Sequence, residues 1–142
     1  MSHQERVAWV SLLTMAVTFG PRFILTAVDP PAEALPDLPA MVRLAAATLG
    51  QAMLLGVGYL FLRHRFPEDA RVHADERDRA IWHQALHFAC IAMIVGMILV
   101  GIVRPLHATG WKLINTGVFM IVLAGSVQKG AAICGYRRGL SA

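Results

Sequence analysis

Acidic residues are scarce in this 142-residue sequence, and all nine Asp and Glu lie near the termini or between its long apolar runs. A small four-helix exporter needs a membrane-embedded carboxylate to take up a proton and a cationic substrate in turn, so proton-coupled cation export by that mechanism is not expected. Cysteine is rarer still. Cys90 and Cys134 sit in separate apolar stretches without Cys-x-x-Cys spacing, which argues against a disulfide framework and thiol-disulfide redox chemistry and leaves them as small buried apolar residues. No Gly-rich phosphate loop, no Ser-His-Asp arrangement and no paired carboxylates at helical depth occur, so hydrolase and kinase chemistry lacks its residues. The chain is expected not to be an enzyme.

What is abundant is apolar surface. Hydrophobic residues make up 56% of the chain, charged residues 15%, and the mean hydropathy is +0.55, too apolar for a water-soluble domain of this size. A membrane span takes roughly 20 apolar residues, and four runs of that kind follow one another, at about 7–28, 40–62, 80–103 and 111–136. They predict an all-α fold, a single bundle of four antiparallel transmembrane helices spanning 1–142, with the lipid bilayer as its first partner. Asp29-Pro30-Pro31 ends the first run and Arg104-Pro105 the third, since proline lacks the backbone donor that continues a helix. The first run has no small-residue cleavage site and is broken by Pro21-Arg22, so it reads as a retained helix.

The net charge of +4 comes from 11 Arg and 2 Lys against the nine acids. Arg63, Arg65, Arg71, Arg77 and Arg79 crowd the loop 63–79, and Arg137 and Arg138 follow the last run, whereas Arg43, Arg104 and Lys112 flank the other two loops. The positive-inside bias therefore places both termini and the middle loop in the cytoplasm of a multi-pass protein of the cell (inner) membrane. Basic excess of this kind signals topology, not nucleic-acid binding. Arg22 and Lys129 fall inside apolar runs; their long stems are expected to reach the interface, the alternative being a buried ion pair.

The halves look alike. Glu5-Arg6-Val7-Ala8-Trp9 opens the first run as Asp78-Arg79-Ala80-Ile81-Trp82 opens the third, and Gly58-Tyr59 and Gly135-Tyr136 lie near the ends of the second and fourth. A tandem duplication of a helical hairpin accounts for this pattern. The run Asp75-Glu76-Arg77-Asp78-Arg79-Ala80-Ile81 is a helix start, with Asp75 as cap and Glu76 and Asp78 facing the positive end of the helix dipole. Together with the closing Tyr136-Arg137-Arg138-Gly139, it resembles an uncharacterised family of small four-helix prokaryotic membrane proteins. The resemblance covers mainly the second half, implies the four-helix architecture and carries no activity.

Two chemistries remain to be weighed. Arg63, Arg65, Arg71, Arg77, Arg79, Arg137 and Arg138 form a basic cytoplasmic face suited to anionic lipid or to a cytoplasmic protein partner, unless they serve topology alone. Alternatively, His83 and His87, one turn apart, could hold zinc, copper or haem with help from His64 or His73. Cys90 shares their face but lies about 10 Å deeper than His83 at 1.5 Å per residue, beyond reach of one ion. Haem fits less well because its two axial ligands normally come from different helices. Without a ligand, His83 is an interfacial residue and His87 bonds across the bundle. Gln51, Asn115, Thr14 and Thr18 are suited to interhelical hydrogen bonds. Ala46/Gly50, Ala85/Ala89, Ala92/Gly96 and Ala131/Gly135 allow close helix approach within the bundle or in a homodimer.

Overall fold

Each apolar run becomes one long helix because lipid offers no partner to backbone N–H and C=O groups, which must bond within the segment. A computed structural model describes residues 3–28, 38–66, 76–103 and 110–138. They form α1 (His3–Val28), α2 (Leu38–Arg65), α3 (Glu76–Ile98) and α4 (Trp111–Arg138), and a π-helical turn, Leu99–Val103, extends α3. All four are long and apolar enough to cross a membrane. The chain is a small polytopic membrane protein.

The helices outrun the apolar stretches at several ends. Leu38-Pro39 starts α2 two residues early, with proline in the first turn where its missing N–H costs nothing. Glu76 and Asp78 form the first turn of α3, as the helix-start reading requires; Asp75 itself lies outside the described residues. At α4, Gly110 adopts φ 57°, a left-handed conformation that glycine enters without strain, and its carbonyl accepts the N–H of Ile114 at 3.4 Å.

Packing follows small residues. The most extensive contact is α3 with α4, followed by α1 with α2 and α1 with α4, so the spatial order is α2, α1, α4, α3, with α1 and α4 forming the central seam. Along α1 the buried residues Glu5, Ala8, Ser11, Phe19 and Arg22 are spaced by three or eight positions, close to whole helical turns, so that they can share one face. Ile81, Ala85 and Ala132 form the core of the α3/α4 crossing. A Cβ on Gly135 would stand 2.7 Å from Ile81 Cγ2, and one on Gly96 would stand 3.0 Å from Met120 Cβ. Similarly, Gly58 receives Val10 and Gly125 receives Met15. Gly50, by contrast, has nothing within 4 Å of the corresponding position, so the Ala46/Gly50 pair brings no helix close within the bundle.

Large apolar side chains point outward instead. Met53 is 72% exposed, and Val17, Ile24, Leu49, Phe61 and Ile94 are similarly bare, an apolar belt that lipid covers. Cys90 and Cys134 belong to this outer surface, correcting the expectation that they are buried: lipid tails accept a thiol on the outside as readily as a core does.

Candidate functional site

Residues 4–9 of α1, the last turns of α2 and α4 and the first turns of α3 meet at one end of the bundle. Glu5, only 7% exposed, accepts a salt bridge from Arg137 at 3.7 Å. The Arg137 guanidinium also lies 5.5 Å from the Trp9 ring centroid, and Lys129 Nζ lies 4.5 Å from that of Trp82. Arg6 sits 3.9 Å from the Phe66 ring centroid, and the Tyr136 hydroxyl donates to the Asp78 carboxylate. These contacts tie each helix to a neighbour and place the start of α1, the end of α2, the start of α3 and the end of α4 together, as an even number of antiparallel spans requires.

Within this rim the expected basic face divides. Arg137, though exposed at its tip, is held by Glu5 and Trp9. Arg63 and Arg65 at the end of α2, and Arg77 and Arg79 at the start of α3, are exposed. Arg71 and the side chain of Arg138 lie outside the described residues. Glu5, counted among the terminal acids, is in fact the buried first turn of α1.

The candidate histidines among the described residues lie on the outer surface. His64 is exposed at the end of α2, and His83 and His87 are exposed on α3. His83 also lines a cavity of about 200 Å³ with Gln4, Asp78, Arg79, Trp82 and Tyr136. His87 meets the ring of its neighbour Phe88, centroids 6.4 Å apart, and its outward position corrects the expectation of a bond across the bundle. His73 lies outside the described residues. Among the described residues, no three His, Cys, Asp or Glu side chains gather as a metal site.

Polar contacts deeper in the bundle follow the sequence expectation in part. Gln51, 9% exposed, donates from Nε2 to Thr14 Oγ1 at 3.2 Å, and its Oε1 shares the single Thr18 hydroxyl proton, at 2.6 Å, with the Thr14 carbonyl, at 2.8 Å. Thr14 passes its own proton to the Ser11 carbonyl at 3.0 Å. Gln51→Leu is expected to cost about 0.6–1.7 kcal/mol, the range for interhelical hydrogen bonds in lipid, measurable by denaturant titration in detergent.

Arg22 departs from expectation. Instead of extending to the interface or meeting a carboxylate, it turns inward, 9% exposed, and donates from Nη2 to Asn115 Oδ1 at 2.6 Å. Its Nη1 is buried without a hydrogen-bond partner. Lys129, by contrast, extends to Trp82 in the rim. The missed signal was positional: Arg22 follows Ala8, Ser11 and Phe19 at helical spacing along the inward stripe.

The chain matches no protein-family model, no curated protein and no solved structure. The resemblance carried by residues 75–81 and 136–139 therefore identifies no family, and what stands of it is the four-helix architecture.

Proposed function

We propose that this protein is a non-enzymatic interaction or regulatory component of the cell membrane, with its termini and middle loop in the cytoplasm and a basic rim that engages anionic lipid headgroups or an acidic surface of a cytoplasmic protein. The observation that carries this reading is the contrast within the rim: Arg6 and Arg137 are taken up by Phe66, Glu5 and Trp9, while Arg63, Arg65, Arg77 and Arg79 stand exposed. Topology alone needs basic residues near the spans, and it does not need their charged heads to be free of the bundle. The positive-inside bias supplies the orientation.

The test is lipid retention by the untagged, detergent-purified full chain, compared for phosphatidylglycerol and phosphatidylcholine by native mass spectrometry. Each basic residue near an anionic surface contributes about 1 kcal/mol, so joint replacement of Arg63, Arg65, Arg77 and Arg79 by Gln should lower the preference for the anionic lipid by about tenfold or more. An unchanged preference, with no acidic protein partner lost, removes the reading. The same preparation decides the histidine alternative: stoichiometric zinc or copper, or a Soret band, lost in His83→Ala and His87→Ala would make the histidines the functional site.

A further inference from the structure

At the end of the bundle away from the termini, α1, α2 and α4 enclose a cavity of about 280 Å³. Two guanidinium groups line it, Arg22 from α1 and Arg43 from α2, together with the Asn115 amide from α4. No Asp or Glu among the described residues shares this lining. Arg22 is nine-tenths buried, at a depth where an arginine is costly unless an anion or acceptor meets it. Asn115 occupies Nη2 and thereby fixes the plane of the guanidinium, but Nη1 keeps its donors unpartnered. A guanidinium of fixed orientation with unmet donors, lining one cavity with a second arginine, is a setting in which proteins bind oxyanions.

From this geometry we infer that the cavity is an oxyanion site, and that its ligand is a phosphate group held between Arg22 and Arg43. Small-molecule sites start at about 300 Å³, so the space readily admits a phosphate group. The remaining wall is mainly apolar, with Leu25, Ala46 and Ala47, and its two hydroxyls, Thr18 and Thr26, bond to carbonyls of their own helix; Leu25 is 59% exposed on the lipid-facing surface. A phosphate borne by a lipid can thus enter with its chains along Leu25, and a free phosphate can enter from the aqueous end; both place the same chemistry between the same arginines. The site lies at the opposite end of the bundle from the basic rim and does not depend on what the rim binds.

The experiment is thermal unfolding of the full chain in detergent, titrated with inorganic phosphate, with a short-chain phosphatidic acid and with the matching diacylglycerol, which lacks the phosphate. Saturable stabilisation by phosphatidic acid alone assigns a lipid headgroup, and stabilisation by inorganic phosphate as well assigns a free oxyanion. In either case Arg22→Gln and Arg43→Gln should each weaken binding about tenfold or more, the effect of losing a charged hydrogen bond. Arg63→Gln, at the other end, should leave it unchanged. Arg43 is exposed, so its variant remains informative even where Arg22→Gln fails to fold. The inference is overturned by a response equal to that of the diacylglycerol, or by binding that Arg43→Gln does not weaken. It is also overturned by binding that appears only after Asp29→Asn, Glu33→Gln and Asp37→Asn, because the first loop's own carboxylates would then be the occupants.

Discussion

Asn115→Leu is expected to destabilise the bundle by about 2–3 kcal/mol, and Arg22→Leu added to it should restore most of the loss. The single variant strips the 2.6 Å acceptor from a buried guanidinium, and a hydrogen bond to a charged group is worth about 1.5–3 kcal/mol. The double variant removes the charge together with its need for a partner, and replacing both members of such a pair by apolar groups is often close to neutral. A double-mutant cycle by denaturant titration in detergent gives the coupling directly. Additive losses would show that Asn115 does not hold Arg22. The comparison with Gln51→Leu is informative, because that contact links neutral groups and should cost less than the Asn115 change.

Gly135→Val should be the most damaging of the small-residue changes, at about 1–3 kcal/mol for overpacking a close contact. Its Cβ would fall 2.7 Å from a methyl of Ile81, a β-branched residue whose χ1 has little freedom and which is itself buried in the α3/α4 core. Relief requires the two helices to part along their most extensive contact. Gly50→Ala serves as the control. With nothing within 4 Å, it should be neutral or stabilising by up to about 1 kcal/mol, the helix-propensity difference. Equal losses at the two glycines would mean that both positions respond to something other than packing between these helices.

The contrast shows what was legible in the sequence. Hydrophobic length alone revealed the four spans, since only a helix satisfies its backbone in lipid over 20 residues. It could not say which faces turn inward, because a lipid tail and a protein core are equally apolar neighbours. Cys90, Cys134 and His87 were misjudged for that reason. Small residues carried more information: Ala85, Ala89, Gly96 and Gly135, spaced for close approach, are buried, while Ala46 and Gly50 show that spacing without a facing helix is insufficient. The polar residues chosen for interhelical bonding, Gln51 with Thr14 and Thr18, do bond in that way. Arg22 was misread because nearness to a helix end says only that the stem could reach water. Its place on the buried stripe decides the direction, and the facing Asn115 is 93 positions away, beyond any local pattern.

That separation also has a consequence in time. Chains emerge during synthesis at about 5–20 residues per second, so Arg22 precedes Asn115 by about 5–20 s. The hairpin of α1 and α2 can close early through Thr14, Thr18 and Gln51, but the seam between α1 and α4 waits for the last segment. During that interval the young arginine must be accommodated by water, by phosphate at the membrane surface or by the insertion machinery itself, and the half-made protein is a different electrostatic object from the finished one.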